Sequence, residues 1–208
     1  MTDSFAQRSI AFPSTMVNIA SRLTQSPQPF VLPGRYSWSD FQTLDSIIRQ
    51  DSKLHITYLD GVIELMPLGE EHESISRMLG ILIALYLVKE NIDFTVVGSA
   101  TRASEEKSVS FEPDESYYLG EKKEHPDLAI EVNITSGGPK KLEKYKRLEI
   151  QEVWMWSNKK ITIFTLENER YSAITRSQLL PDLDIKRLES STLLTSQREA
   201  INQFTTDQ

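Results

Sequence analysis

The sequence predicts a single α/β domain, a mixed β-sheet flanked by helices. The first indication is the order of periodic segments: helix, hairpin, helix, strands, helix, strands, an interleaving that places helices against a sheet. The second is size. The chain has 208 residues of which 39% are apolar, enough for one sizeable core and not obviously for two. The third is the spacing of apolar residues, which switches repeatedly between helical and strand periods.

In chain order, residues 1–33 are polar and read as a flexible arm. From Ser37 the pattern changes. Ser37 or Ser39 caps a helix running to about Gln50, with Phe41, Leu44, Ile47 and Ile48 on one face. Leu54, Ile56 and Tyr58 alternate with polar neighbours. Asp60-Gly61 is a strong hairpin turn, and Val62, Ile63 and Leu65 continue beyond it. A long helix from about Glu70 to Lys89 carries a wide apolar stripe from Ile75 to Tyr86. Such width predicts a sheet on one side and another layer or subunit on the other. Phe94 to Val97 is a strand. Val109 to Phe111 begins the next, with Asp114 near its end, and Tyr117 to Glu124 reads as a loop or hairpin connection. Leu128 to Val132 is a buried strand, and Pro139 to about Leu148 a helix with proline in its first turn. Val153 to Ser157 and Ile161 to Leu166 are strands joined at Asn158-Lys159, and a tail helix spans Thr195 to Phe204. The domain is expected over residues 34–190, with 191–208 a helical tail.

Composition narrows the function. The net charge is -7, opposite in sign to that of a general nucleic-acid coat protein. Acidity still allows a nuclease, because a bound metal offsets local repulsion. With no cysteine, thiolate nucleophiles and cysteine metal sites are excluded. No apolar run approaches the roughly 20 residues of a membrane span, and the start lacks a secretory pattern. A cytoplasmic protein is the expectation. There is no phosphate loop, nucleophile elbow or zinc pattern.

The acids carry the chemistry. Glu131 lies inside the apolar run LAIEV, where an isolated carboxylate is expensive and needs a partner or a metal. It is either a metal ligand or a strand-end acid paired with a lysine. Asp114 precedes it by 17 residues. If the two sit on neighbouring strands their carboxylates converge, and hard oxygen donors suit Mg²⁺ or Mn²⁺. Pro-Asp is also a common turn pair, so Glu112 and Glu115 stand as alternatives. Asp127 shares strand spacing with Glu131 or caps the strand start. Glu64, among apolar neighbours in the hairpin, is a third acid at the site or an edge charge. His72 starts the long helix, as a phosphate or supporting contact or as a surface residue. Lys141 and Lys144 share a helix face. An ammonium there orients a metal-bound water and stabilises phosphoryl charge, or the face is simply solvated. Tyr145 packs or points its hydroxyl into a cleft. Trp154 and Trp156 alternate on a strand as core or interface residues.

Taken together, YLDGVIELMPLGEEHE, FEPDESYY, HPDLAIEVNITS and KLEKYKRLEIQEVWMW resemble the PD-(D/E)XK nuclease superfamily. Within it the chain is similar to a large, mostly bacterial family of restriction-endonuclease-like proteins, over about Tyr36 to Leu183. The resemblance implies a restriction-endonuclease-like fold with a central mixed sheet, and a metal-dependent phosphodiester hydrolase site. It makes Asp114 the acid of the Pro-Asp motif and Glu131 the acid of the following strand. The superfamily lysine two residues after the second acid is replaced here by Asn133, which carries no charge. The family takes its lysine from the next helix, where Lys141 fits and Lys144 is the fallback. Glu64 and His72 match accessory positions. The acid that usually precedes the helical lysine is absent, its place taken by Ser136-Gly137-Gly138.

Two functions therefore stand, beside a third, a metal-dependent hydrolase of small phosphodiesters. The first is a Mg²⁺- or Mn²⁺-dependent nuclease acting on DNA, with Asp114, Glu131 and Glu64 holding the ion and Lys141 orienting or helping to deprotonate the water. The second is an inactive interaction module on the same fold. The apolar stripe and the two tryptophans allow a homodimer in either case.

Overall fold

The computed structural model describes residues 29–49, 54–67, 69–133 and 141–206. Most of the expected arm, together with Ser136-Gly137-Gly138 and Pro139, lies outside these residues.

Two sheets are built in place of one. The first contains β1 (Phe30–Val31), β2 (Leu54–Leu59), β3 (Val62–Pro67), β5 (Arg102–Ser104) and β6 (Val109–Phe111), in the order β1-β3-β2-β6-β5. The second contains β4 (Phe94–Val96), β7 (Glu115–Leu119), β8 (Leu128–Asn133), β9 (Glu152–Ser157), β10 (Lys160–Glu167) and β11 (Arg170–Ile174), in the order β11-β10-β9-β8-β7-β4. Only β8 and β9 pair in parallel, the crossover between them passing through a helix as parallel neighbours require. The helices are α1 (Trp38–Ile48), α2 (Glu70–Lys89), α3 (Leu142–Arg147), α4 (Ile185–Thr192) and α5 (Gln197–Thr205).

Local chemistry explains the boundaries. The Ser37 side chain accepts from the Asp40 amide while Asp40 reaches back to the Ser37 amide, a capping box that starts α1. Asp60 and Gly61 hold φ of 48° and 83°, the left-handed pair of a two-residue hairpin. Asn158-Lys159 and Asn168-Glu169 do the same for β9–β10 and β10–β11. Phe30 and Val31, expected in the arm, pair with Leu65 and Glu64 of β3, and Leu32 is buried in the core beside them.

The stretch around Asp114 departs from expectation. Val109 to Phe111 belongs to one sheet, and Glu115 to Leu119 is a strand of the other. Pro113 lies between them and has no N–H to continue a ladder, so the chain changes sheets there. Tyr117 and Tyr118, expected in a connection, are buried strand residues.

The wide stripe of α2 is covered on both sides within this chain. One side packs on β7 and β8, the other on α4 and α5, with Leu188, Ala200 and Phe204 joining the same core. The expected tail is thus the second layer over α2. Trp154 and Trp156 are also inside this core. The features that suggested a dimer are used up internally. No helix among the described residues is long and apolar enough to cross a membrane.

Candidate active site

Alternation along β8 sorts its side chains onto two faces. Leu128, Ile130 and Val132 join the core under α2. Ala129 joins the cluster under α3, so Glu131 and Asn133 share that second face. The packing of α3 over it depends on Leu142, Tyr145 and Leu148, which meet Phe111, Val153 and Met155. This lays the lysine face of α3 over Glu131.

Glu131 is 1% exposed. Its Oε1 lies 3.0 Å from Lys141 Nζ, and Lys144 Nζ is 3.4 Å from both carboxylate oxygens. The Tyr145 hydroxyl donates a short hydrogen bond to Oε2. Burial alone would raise the Glu131 pKa. The charges of Lys144 and Lys141 and the Tyr145 hydroxyl more than reverse this, and the carboxyl is held well below the usual carboxylate range. Burial likewise pulls Lys141 down, and Glu131 more than restores it, so its pKa is raised. Lys141 is therefore an ammonium at neutral pH and not a base. Lys144 is the more constrained of the two, with Nζ 5.1 Å from the ring centroids of both Phe111 and Tyr145.

Asp114 precedes β7 and is 4% exposed. Its Oδ2 accepts from the Val132 amide at 2.5 Å, next in the chain to Glu131. His72 Nε2 is 3.2 Å from the same oxygen. Neither ring nitrogen of His72 makes a well-aligned hydrogen bond, so this contact is one of charge. Burial lowers the His72 pKa, but Asp114 and then Glu73 outweigh it and lift it to about 9. Asp114 and Glu64 both contribute to the field that keeps Lys141 charged.

The other candidates fall in different places. Glu64, half-buried on β3, lines a cleft of about 340 Å³ whose floor is formed by Glu131, Lys141 and Lys144. Glu112 lines it too, paired with Arg49 at 2.7 Å and near His55 at 3.4 Å. Glu115 points to α2 and pairs with Arg77 at 2.9 Å; a Cβ on Gly80 would meet its Cδ at 3.1 Å, so glycine there lets the carboxyl approach the helix without being displaced. Asp127 lies before β8, accepting from the Leu119 amide and Lys123, a brace of the β7–β8 turn away from the cleft.

Asn133 was read from the sequence only as an uncharged replacement for a lysine, and Glu152 was not singled out. Asn133 is 4% exposed, and among the described residues neither its Oδ1 nor its Nδ2 has a partner. Glu152, fully buried, accepts from Trp154 Nε1, Ser177 Oγ and the amides of Gln178 and Leu179. It anchors the segment after β11 and has no part in the cleft. Its signal was related to the one that marked Glu131, an acid at the head of an apolar run.

The fit to a divalent cation rests on donor chemistry. Among the described residues no group of three or more histidines and acids converges to hold an ion, so Glu64 does not complete a three-carboxylate cage. Mg²⁺ needs less, commonly one or two carboxylates with water and substrate phosphate. Asp114 and Glu131 supply two buried hard oxygen ligands flanking Val132, and the residues fit such an ion on those terms.

Comparison with curated proteins finds no relative. Four chains of solved structures match. One is a 1.96 Å crystal structure described as a putative nuclease belonging to DUF820, from Anabaena variabilis ATCC 29413. It shares 16% identity with a TM-score of 0.44, covering 72% of this chain and 90% of that one. The profile of the Uma2 family, described as "Putative restriction endonuclease", matches residues 38–194. That span is well over half of the 208 residues, and the chain belongs to the Uma2 family.

Proposed function

We propose that this protein is a nuclease-like phosphodiester hydrolase that depends on Mg²⁺ or Mn²⁺. The observation that carries the reading is Glu131, a buried acid met by two ammoniums and a phenol at the floor of an open cleft. A purely structural acid needs neither two cations nor a cleft.

Asp114 and Glu131 hold the ion, with Glu64 available from the facing sheet. When bound, the ion polarises a phosphoryl oxygen and makes a bound water a better nucleophile. The remaining work falls to side chains. Lys141, the more exposed lysine and the one not sandwiched by rings, contacts the phosphate and orients the water as an ammonium. Lys144 adds fixed positive potential. Tyr145 fixes the rotamer of Glu131. His72, charged at neutral pH, and the Val132 amide hold Asp114 in place.

The test is metal-dependent cleavage by purified protein, compared with Glu131→Gln and Lys141→Met. Each substitution should lower the rate at least a hundredfold while far-ultraviolet dichroism is unchanged. Undiminished activity in Glu131→Gln refutes the assignment. Absence of cleavage together with absence of metal-dependent heat in calorimetry favours the second reading, an interaction module on an inactive site.

A further inference from the structure

The shape of the cleft bears on which phosphodiester can enter it. At about 340 Å³ it has the volume of a small-molecule site. Its floor is recessed: Glu131 and Lys144 are 1% and 7% exposed. The β2–β3 hairpin tip that overhangs them is tied down. Arg147 donates to both carboxylate oxygens of Asp60, at 3.1 and 2.7 Å, and to the Lys107 carbonyl at 3.1 Å. Arg35 donates to the Asp60 carbonyl from the other side. The phosphates of a duplex interior are held on a stiff rod, and the tied hairpin narrows the approach of such a rod to the recessed floor.

The lining chemistry points the same way. Leu59 and Val62, paired across the hairpin, give the cleft an apolar patch, and Met66 lies two residues beyond Glu64 on the same face; an unstacked base can lie on such apolar lining. His55 lines the cleft with a buried Nδ1 that has no partner among the described residues, free for a base edge or a ribose hydroxyl. Asp60, Glu64 and Glu112 also line it. These carboxylates interrupt any continuous basic track of the kind that follows a duplex backbone, in a chain of net charge -7.

We infer that the cleft takes one unpaired nucleotide at a time, with its phosphate on Lys141 and its base against the apolar lining of the β2–β3 hairpin, between Leu59–Val62 and Met66. It does not take the interior of a duplex. The inference rests on the hydrolase reading of the same residues and narrows its substrate class to unpaired nucleotide phosphodiesters.

Two measurements on the full chain test it. The first compares cleavage in Mn²⁺ of a covalently closed single-stranded circle, a closed relaxed duplex circle, a blunt linear duplex and a dinucleotide. The single-stranded circle should be cut at least tenfold faster per phosphodiester than the closed duplex. Faster cutting of the blunt duplex or dinucleotide would assign the source to strand ends or short diesters, still unpaired. Equal rates on the two circles overturn the inference and leave the hydrolase reading standing. The second is fluorescence anisotropy in Mn²⁺ with a phosphorothioate 12-mer, single-stranded or as a hairpin duplex. The single strand should bind at least tenfold more tightly, and Met66→Trp should weaken it at least fivefold with an unchanged melting temperature. If nothing is cut, the hydrolase reading fails, and binding still decides the cleft: equal or tighter duplex binding, or indifference to Met66→Trp, overturns it.

Discussion

Glu131 and Lys144 form a buried pair whose energy a double-mutant cycle can isolate. The perturbations are Glu131→Gln, Lys144→Met and the two together, in metal-free protein. Glutamine keeps the shape and the acceptor for Tyr145 and removes the charge, leaving the ammoniums of Lys141 and Lys144 buried against a neutral partner. Breaking a buried pair from one side costs about 3–5 kcal/mol. Lys144→Met is milder, because Glu131 keeps Lys141 at 3.0 Å, and about 1–2 kcal/mol is expected by comparison with ordinary core substitutions. At 3.4 Å the gross attraction between Glu131 and Lys144 is about 5 kcal/mol for an effective dielectric near 20. Desolvation removes more than half of it, so the coupling should be about 2 kcal/mol. The double variant should then be more stable than the sum of the singles implies, because methionine leaves no second ammonium stranded beside glutamine. Urea unfolding at pH 7 reads all four corners of the cycle. A coupling below about 0.5 kcal/mol would refute the claim that Lys144 neutralises Glu131.

Other expectations follow from single residues. His72, raised from 6.5 to about 9, contributes stability that is fully present below pH 6.5 and lost as pH rises through 9. Since the contact with Asp114 is not a well-aligned hydrogen bond, metal-free protein should lose on the order of 1–2 kcal/mol across that window, and urea unfolding of His72→Gln should show no such loss. Asn133→Leu removes two buried unpaired amide atoms and should raise stability by about 1 kcal/mol while lowering any activity; a drop in the urea midpoint would show that the amide is satisfied. Glu152→Ala strands four donors and should cost on the order of 4 kcal/mol in thermal unfolding, with no more than a twofold change in rate at a temperature where the variant is folded.

Much of the fold was legible because its signals are local. Asp60-Gly61 demands left-handed backbone, and only a hairpin tip uses that in succession. Ser37 and Asp40 have the spacing of a capping box. The stripe of α2 announced two covered sides, but its cover comes from Leu188 to Phe204, about a hundred residues away, and no periodicity reports such a distance. The break at Pro113 was visible as a turn, yet that it separates two sheets depends on which strands Phe111 and Glu115 find as neighbours. Of the two readings of Asp127, the brace at the strand start is the one its side chain takes: its backbone bonds Tyr117 and Glu152 on either side, while its carboxylate holds the Leu119 amide. For the site, the shared face of Lys141 and Lys144 was readable from their spacing. That Phe111 lies under Lys144 was not, since the ring arrives from the other sheet.

The two buried acids of the central strands show how structure divides what sequence cannot. Glu131 inside LAIEV and Glu152 at the head of VWMW present related patterns, a carboxylate on a buried strand, and both must be compensated. Glu152 is answered by an indole, a hydroxyl and two backbone amides, all neutral and none facing the cleft. Neutral donors satisfy a fixed acceptor and leave nothing to do chemistry with. Glu131 is answered by two ammoniums at the floor of a cleft. On the proposed reading Lys141, the more exposed of the two, can swing to meet an incoming phosphate while Lys144 stays in place, so part of the compensation is exchangeable. The nature of the partners, more than the burial they share, separates an anchoring acid from one poised for catalysis. Both variants should therefore lose about 3–5 kcal/mol of stability, and they should diverge in the activity of the folded protein, which Glu131→Gln loses and Glu152→Ala keeps.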